Sequence, residues 1–237
     1  KNSFIIKNPV IMYENKKIFI LGMARSGYES SKLLANHGCT VTVTDMKEQN
    51  EDQVKELESL GVNVIISNDP LPLLDETFDY VIKNPGIKLD HPICLKAKEL
   101  GIKVVSEVEV AYHFLKEKNV QIIGITGSNG KTTTTTLIYE FLKAHNADVL
   151  LGGNIGYPVC SLVEKSKEGT ILVLEISGHQ MHDCYDFKTN VSVMTNLTEV
   201  HIDHFKTYDF YKEMKARIFN RHTESDTAIY NIANEDV

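Results

Sequence analysis

The chain has 237 residues, of which 42% are hydrophobic and 24% are charged, and these proportions suit one or two globular domains. No apolar run approaches the roughly 18 residues that a membrane-spanning helix needs. A formal net charge of −7 argues against a surface that binds nucleic acid. We therefore expect neither a membrane nor a nucleic acid as a partner.

The chain start and the cysteines indicate the compartment. The chain begins Lys1-Asn-Ser-Phe4, without an initiator Met and without the charged-then-apolar layout of a signal peptide, so we expect a few residues to be missing before it. The cysteines lie far apart and form no CxxC pair, which predicts buried thiols in a reducing compartment rather than a zinc site or disulfides: Cys39, Cys94, Cys160 and Cys184. We expect a cytoplasmic monomer.

Short apolar runs rich in β-branched residues alternate with helical stretches along the whole chain. The runs predict strands at Lys17–Leu21, Thr40–Thr44, Val62–Ser67, Tyr80–Lys83, Lys103–Val105, Gln121–Ile125, Val149–Leu151, Ile171–Leu174, Val191–Thr195 and Ala228–Asn231. Segments between them carry apolar residues at helical spacing: Glu29–His37, Asp52–Leu60, His91–Leu100, Thr132–His145 and Tyr208–Arg221. The alternation predicts an α/β fold built from βαβ units with parallel sheets.

Two strand–glycine-turn–helix openings, at Gly22 and Gly124, each mark the first βα turn of a nucleotide-binding module. The polar stretch 116–119 lies just before the second opening and predicts the joint. We therefore expect a Rossmann-like domain over residues 1–116 and a P-loop ATPase-type α/β domain over 117–237. The last predicted strand, Ala228–Asn231, has the composition of a core strand but no covering helix after it. A parallel sheet rarely ends in this way, so we expect the second domain to be incomplete at its C-terminus.

The first glycine turn resembles a dinucleotide fingerprint, G-x-G-x-x-G, over Gly22–Gly27. Ala24 replaces the middle glycine, which normally lets the backbone approach a pyrophosphate, so an NAD site is disfavoured. Asp45 ends the second predicted strand, where a carboxylate meets a ribose or base, although a capped strand end explains it equally well. Asn84-Pro-Gly86 forms a further turn on the same sheet edge. Together these turns suggest a cleft for a nucleotide sugar.

The strongest motif is Ile122-Ile-Gly-Ile-Thr-Gly-Ser-Asn-Gly-Lys-Thr132, an apolar strand that enters a glycine-rich turn and a helix opening with Lys-Thr. Such a turn directs backbone N–H groups at phosphate oxygens, and the helix N-terminus adds its dipole. We expect Lys131 to reach the β- and γ-phosphates and the Thr132 hydroxyl to bind Mg²⁺. Ile125 stands where the strict pattern has its first glycine, so the loop is a variant.

Polar residues follow two further strands of the second domain. Glu175 ends an apolar strand at the edge where α/β sheets place ligands, and a phosphate loop upstream makes it a Mg²⁺ candidate. Ser177 and Gln180 follow in the same loop. The next strand leads into a histidine- and aspartate-rich segment, which could hold a second cation, contact phosphate, or simply be a surface cluster: His201, Asp203 and His204.

Lys215 lies within an apolar stripe of the predicted helix Tyr208–Arg221, formed by Tyr211, Met214, Ile218 and Phe219. A lysine in such a stripe either extends its ammonium to solvent or is partly desolvated. Desolvation would lower its pKa and leave a nucleophilic amine, which could carry a modification.

These motifs resemble the Mur ligase family in both content and order. The resemblance is carried by ITGSNGKTT, by the strand-end Glu175 with its nearby Ser and Gln, and by NLTEVHIDHF and YKEMKARIF. Gly152-Gly-Asn-Ile-Gly156, Asn84-Pro-Gly-Ile87 and Ser106-Glu-Val-Glu109 are similar to the branch of the family that adds D-glutamate. The sequence departs from the usual family pattern at Arg25, Gly178, His179 and Val200.

The resemblance implies an ATP-dependent ligase that joins UDP-N-acetylmuramoyl-L-alanine to D-glutamate through an acyl phosphate, with a first domain that binds the UDP-sugar and a third domain that lies outside this chain. It implies catalytic roles for Lys131, Glu175, His201 and Lys215, and ATP binding by Gly127, Ser128, Asn129, Gly130, Lys131, Thr132 and Thr133. Two Mg²⁺ ions would involve Thr132, Glu175, His201 and a carbamylated Lys215. Substrate contacts would come from Arg25, Ser26, Asp45, Gly86, Asn154, Ser177, Gln180 and His201.

Other functions stay open at this point. A sister ligase adding another amino acid is the nearest, followed by folylpolyglutamate synthase, which Gly152–Gly156 and the UDP-type first domain disfavour. A non-catalytic nucleotide-binding module would keep Lys131 but would need neither Glu175 nor Lys215. An NAD-dependent oxidoreductase is disfavoured by Ala24 and by the GKT of the second module.

Overall fold

The computed structural model describes residues 12–200 and 205–237. Each predicted strand is present, with its ends shifted by no more than a residue or two, and each of the two predicted parallel sheets forms. The α/β fold class is therefore confirmed. The predicted cation or phosphate residues His201, Asp203 and His204 lie outside the described residues.

The chain divides into two compact units. Residues up to Asn84, together with His91–Val104, form the first unit, and Pro85–Asp90 with Val105–Val237 form the second. The units thus divide near residue 104, before the predicted joint at about 116. The roles proposed for the two domains remain predictions.

The first unit contains a five-stranded sheet with the order β3-β2-β1-β4-β5. Its elements are β1 Lys17–Leu21, α1 Arg25–Asn36, β2 Thr40–Asp45, α2 Glu51–Ser59, β3 Asn63–Ile66, β4 Tyr80–Lys83, α3 Pro92–Glu99 and β5 Lys103–Val105. Strands β3, β2, β1 and β4 pair in parallel, with Leu21 opposite Thr44 on one side and Lys83 on the other. The chain order reverses beside β1, and nucleotide sites of open α/β sheets lie at such a reversal.

The second unit contains a five-stranded sheet with the order β10-β9-β6-β8-β7. Its elements are α4 Glu107–Leu115, β6 Gln121–Thr126, α5 Lys131–Ala144, β7 Val149–Gly153, β8 Ile171–Glu175, α6 Gly178–His182, β9 Val191–Met194, α7 Tyr208–Ala216 and β10 Thr227–Tyr230. All of these strands pair in parallel. Register places Gly153 of β7 and Ile125 of β6 on either side of Glu175 of β8.

Helix α4 was not predicted as a helix, although its sequence contains a clear start signal. Ser106 caps it by accepting a hydrogen bond from the Glu109 backbone N–H (3.1 Å). Two buried glutamates then bind backbone N–H groups of loops in the second unit: Glu107 bonds Cys160, and Glu109 bonds Asp186 and Phe187 at 2.8 and 2.9 Å. These bonds attach α4 to the second unit and explain why the division falls before it.

Strand β10 was predicted as a core strand, but all four of its residues are exposed. Within the described residues its only strand partner is β9. Its apolar side chains Ile229 and Tyr230 therefore face solvent, as does Ile232 just beyond the strand. The apolar run identified a strand correctly, but burial depends on what packs against it.

Three of the four cysteines, Cys94, Cys160 and Cys184, are buried as predicted, whereas Cys39 is only partly buried. The reducing compartment remains a prediction. Burial raises the pKa of the Cys39 thiol to about 12, which keeps it protonated and unreactive at neutral pH. None of the described helices has both the length and the apolar character needed to cross a bilayer.

Candidate functional site

In the first unit, polar groups gather at the carboxyl ends of β1, β2 and β4. The Asp45 carboxylate accepts hydrogen bonds from the backbone N–H groups of Met23 (2.8 Å) and Lys47 (3.1 Å). The Asn84 side-chain amide donates to the Ser26 hydroxyl at 3.2 Å. Asp45 and Ser26 therefore both lie at the predicted edge, where Asp45 also stabilises the glycine turn.

Two other predicted substrate residues of this region have different surroundings. Arg25 is the first residue of α1 and is exposed. Gly86 belongs to the segment Pro85–Asp90, which clusters with the second unit. Their substrate contacts stay predictions.

The phosphate loop joins β6 to α5 with the variant glycine spacing that the sequence shows. Ile125, at the position of the missing glycine, is a fully buried residue of β6, so the turn begins later, at Gly127. A Cβ on Gly127 would lie 2.0 Å from Thr195 Oγ1, and its φ of +141° also favours glycine. Gly130 adopts a left-handed conformation just before α5 begins at Lys131. The loop is therefore a tight turn at a helix N-terminus, which suits an anion.

Residues that follow β9 form hydrogen bonds with the phosphate loop. The Asn196 side chain accepts from the Asn129 N–H (3.0 Å) and donates to the Asn129 carbonyl (3.0 Å). Thr195 also donates to that carbonyl, at 2.6 Å, and Thr198 exchanges hydrogen bonds with the Ser128 hydroxyl. Sequence patterns alone did not single out these supporting residues. The available signal was a run of polar residues immediately after a strand that neighbours β6.

The first turn of α5 lies against the end of β8. The Thr132 hydroxyl donates to Glu175 Oε2 at 2.7 Å, and the Asn154 amide donates to Glu175 Oε1 at 2.9 Å. Glu175 itself is only 2% exposed. The Lys131 ammonium donates to the Ser128 carbonyl at 2.9 Å and so remains close to the loop. The structure thus brings together four predicted site residues: Lys131, Thr132, Glu175 and Asn154.

The motif Gly152-Gly-Asn154 wraps around the end of β8. The Asn154 backbone N–H donates to the Glu175 carbonyl at 2.8 Å. Gly153 has a φ of +99°, and a Cβ there would lie 2.2 Å from the Glu175 carbonyl oxygen. Only glycine allows β7 to approach this closely. The turn therefore fixes both the backbone and the side chain of Glu175.

Ser177 and Gln180 form a capping box at the start of the short helix α6. The Ser177 hydroxyl accepts from the Gln180 N–H (3.3 Å), while the Gln180 side chain accepts from the Ser177 N–H (2.9 Å). Both residues are buried. The capping box explains the positions of both side chains. Their substrate contacts remain predictions.

Lys215 is buried in α7, with 3% of its surface exposed, between the similarly buried Met214 and Tyr211. Its ammonium lies 5.0 Å from the centroid of the Tyr211 ring. Burial lowers the pKa of Lys215 to about 7; the nearby Lys131 ammonium also lowers it, and Glu175 opposes the change. Of the two alternatives for this lysine, the structure favours the desolvated amine. About half of such amines are neutral near pH 7 and can act as nucleophiles.

A second cluster of titratable groups lies away from this site. His113 Nε2 lies 3.2 Å from Asp186 Oδ2 and 3.7 Å from Glu109 Oε1, an arrangement with metal-ligand spacing. Both Glu109 oxygens already accept backbone N–H groups, and Arg221 lies 3.4 Å from the other Asp186 oxygen. We interpret the cluster as a clamp between α4 and the loop before β9.

Comparison with known proteins adds independent information. The model for the MurD-like N-terminal domain of Mur ligases matches residues 16–106, and the model for the Mur ligase middle domain matches residues 125–237. UDP-N-acetylmuramoylalanine–D-glutamate ligase of Geobacillus kaustophilus is 45% identical over 224 residues, which are 94% of this chain and 49% of the relative. The enzyme of the same name from Streptococcus pyogenes serotype M1 is 44% identical over 95% of this chain and 49% of its own length. The chain thus spans about half the length of the curated relatives it matches.

Solved structures with low sequence identity share the fold. UDP-N-acetylmuramate:L-alanyl-gamma-D-glutamyl-meso-diaminopimelate ligase from Neisseria meningitides is 16% identical, with a TM-score of 0.59 over 93% of this chain and 72% of that protein. UDP-N-acetylmuramate-alanine ligase from Thermotoga maritima is 19% identical, with a TM-score of 0.55 over 93% of this chain and 50% of that protein. At these identities the likeness is evidence for the fold alone.

Proposed function

The chain belongs to the Mur ligase family, and we propose that it supplies the UDP-sugar and ATP portions of a ligase that joins D-glutamate to UDP-N-acetylmuramoyl-L-alanine. One observation carries the proposal: Lys131, Thr132, Glu175 and Lys215 converge beside a phosphate loop. The two relatives at 44 and 45% identity support the choice of substrates.

The proposed reaction has two steps. The substrate carboxylate attacks the γ-phosphorus of ATP, forming an acyl phosphate and releasing ADP. The amine of D-glutamate then attacks the acyl carbon, phosphate leaves, and the amine loses a proton. Negative charge spreads over phosphoryl oxygens during the first step, so cations at fixed positions stabilise it.

The residues around the loop suit this chemistry. Lys131 would leave the Ser128 carbonyl to bind phosphate oxygens, while the loop N–H groups and the α5 N-terminus hold them. The Thr132 hydroxyl and the Glu175 carboxylate offer the oxygen donors that Mg²⁺ prefers, and they already lie in contact. Mg²⁺ would neutralise phosphate charge there. We assign His201 to the same cation set by family resemblance.

We further propose that Lys215 is carbamylated. A buried amine with a pKa of about 7 can react as the free base with CO₂, which converts a cation into an anion. That anion would lie near Lys131 and could orient a second Mg²⁺. Lys131 and the metal are both positive, so they would stabilise the negatively charged carbamate of Lys215 and destabilise its positively charged ammonium.

We assign the UDP-sugar to the first domain, through Ser26, Asp45 and Arg25. Gly86 and Asn154 stay candidate substrate residues by family resemblance. We assign ATP to the second domain and recognition of D-glutamate to a further domain outside these 237 residues. Cysteines that are mostly buried and not joined in disulfides support a reducing, cytoplasmic location. We also propose a monomer.

The decisive experiment measures ADP release by the full-length enzyme with UDP-N-acetylmuramoyl-L-alanine and a panel of amino acids. We expect D-glutamate to support release and L-glutamate, L-lysine and diaminopimelate to fail. Preference for another amino acid would assign the protein to a sister ligase. Normal release by Glu175→Gln and Lys215→Ala variants would contradict the catalytic assignment and favour a nucleotide-binding module.

A further inference from the structure

The Tyr211 hydroxyl of α7 lies 2.8 Å from the Ser128 hydroxyl of the phosphate loop, 83 residues earlier in the chain. A serine hydroxyl has one proton to donate and two lone pairs that accept. Ser128 donates to the Thr198 carbonyl (3.1 Å) and accepts from the Thr198 N–H (2.9 Å). With Tyr211 as the donor in the remaining bond, the proton and both lone pairs of the Ser128 hydroxyl are used.

The Tyr211 side chain connects the phosphate loop to the site lysine. Its side chain is buried, and burial raises the pKa of the phenol above its ordinary value, so the hydroxyl keeps its proton. Its ring lies under the Lys215 ammonium, one helical turn further along α7, at 5.0 Å from the centroid. One side chain thus contacts the phosphate loop at its tip and the site lysine at its face.

We infer that Tyr211 is a positioning residue that ties the helix carrying Lys215 to the phosphate loop through Ser128. The inference rests on the proposed function for the roles of Lys215 and the loop. Before nucleotide binds, the Ser128 carbonyl also accepts from Lys131, so one loop residue contacts both Lys131 and the tyrosine that packs on Lys215. Loop and lysine therefore keep a constant spacing, which in-line phosphoryl transfer requires.

The same helix carries a natural control. Tyr208 and Lys212 repeat the Tyr–Lys spacing, with the Lys212 ammonium 4.8 Å from the Tyr208 ring. The Tyr208 hydroxyl, however, donates to Asp236 at 2.8 Å and makes no hydrogen bond to the phosphate loop among the described residues. Tyr208→Phe removes a tyrosine hydroxyl from α7 without touching Ser128.

The first test needs no nucleotide and uses the full-length protein. Tyr211→Phe keeps the ring but loses the hydroxyl, and we expect amide hydrogen exchange at residues 127–130 to accelerate severalfold. Tyr208→Phe should exchange there like the wild type. The Ser128→Ala/Tyr211→Phe double variant should match Ser128→Ala, because the tie is already lost. Wild-type exchange rates in the loop of a folded Tyr211→Phe variant would overturn the inference.

The second test uses the full-length ligase. Tyr211→Phe should lower kcat about tenfold while the KM for ATP changes less than about threefold, since the loop and Lys131 still bind nucleotide but Lys215 is less well placed. An unchanged kcat would also overturn the inference. Failure of the proposed function would be seen separately, as wild-type protein that neither binds ATP in calorimetry nor ligates. The hydrogen-exchange measurement tests the Tyr211–Ser128 contact without ATP binding or ligation.

Discussion

The Thr132 hydroxyl donates a 2.7 Å hydrogen bond to Glu175 Oε2 across 43 residues of sequence. Thr132 lies in the first turn of α5 and Glu175 ends β8, so the bond links the start of the helix after the phosphate loop to the carboxyl end of a neighbouring strand. The Glu175 side chain is buried and its other oxygen accepts from Asn154. These contacts hold the carboxylate in one orientation, ready for a cation beside the loop.

Replacing this hydroxyl should weaken the response to magnesium. Thr132→Val keeps the shape of the side chain but removes an oxygen donor, so the Mg²⁺ concentration for half-maximal ADP release should rise about tenfold or more. Thr136→Val is the matched control, because Thr136 is an exposed threonine of the same helix that we assign to no ligand. Equal magnesium dependence in the two variants would show that Thr132 is not a metal residue.

Loss of the loop lysine should affect turnover with ATP but not affinity for the UDP-sugar. In Lys131→Ala we expect most turnover to disappear, because the phosphates lose a cation. Affinity for UDP-N-acetylmuramoyl-L-alanine should stay nearly unchanged, since we assign Ser26 and Asp45 of the first unit to that ligand. Calorimetric titration of wild type and variant measures this. A similarly large loss of UDP-sugar affinity would contradict separate sites.

Lys215 should behave as a carbamate in mutational rescue. Lys215→Ala should reduce kcat about 10²-fold or more, since a misplaced catalytic group costs that much. Acetate or formate, which can enter the vacated space, should restore part of the rate, while chloride at the same ionic strength should not. Lys215→Arg keeps a fixed positive charge and should stay inactive. Near-normal turnover by Lys215→Arg would refute the carbamate.

The buried lysine also predicts a pH dependence of stability. The pKa of Lys215 is about 7 in the folded chain and 10.5 in its ordinary state, so the unfolded chain binds more protons between these values. The free energy of unfolding should therefore rise from about pH 7 to pH 10, and the cost of the charged amine is fully present below pH 7.

Lys215→Met should remove this contribution. We expect it to stabilise the 237-residue chain by a few kcal/mol at pH 6 and by much less at pH 10. Urea unfolding at both pH values, with CO₂ excluded, gives the two differences. Lys212→Met on the partly exposed face of α7 is the control and should show no such difference. If Lys215→Met changed the free energy of unfolding equally at both pH values, the pKa of Lys215 would not be lowered in the folded chain.

Gly153→Ala should damage both stability and activity. Gly153 and Gly61 have similar positive φ angles, +99° and +80°, but only at Gly153 would a Cβ meet backbone, at 2.2 Å from the Glu175 carbonyl oxygen. Gly61→Ala should cost only the left-handed penalty of about 1–2 kcal/mol and leave ADP release intact. Gly153→Ala should cost more and displace Glu175. Calorimetry and the ligation assay compare the two, and equal behaviour would show that strand β7 can move away.

Local patterns were sufficient for the strands and for the phosphate loop. Strands such as Lys17–Leu21 and Tyr80–Lys83 were predicted to the residue because runs of β-branched residues bounded by turns carry their own signal. The glycine, lysine and threonine of the loop are adjacent in sequence, so their joint role is visible without a fold. The apolar stripe of α7 likewise identified Lys215 as unusual before its burial was known.

The partners of these residues depended on the tertiary structure. Asn154 and Thr132 meet Glu175, and Tyr211 meets Ser128, only because parallel pairing brings the ends of β6, β7 and β8 to one edge and α7 against the loop. Burial was equally invisible in the sequence: β10 has the pattern of a core strand yet is exposed, whereas Glu107 and Glu109 are buried because backbone N–H groups of distant loops bind them. Sequence periodicity reports what each segment prefers, and long-range packing decides which side chains lose water and which atoms they contact.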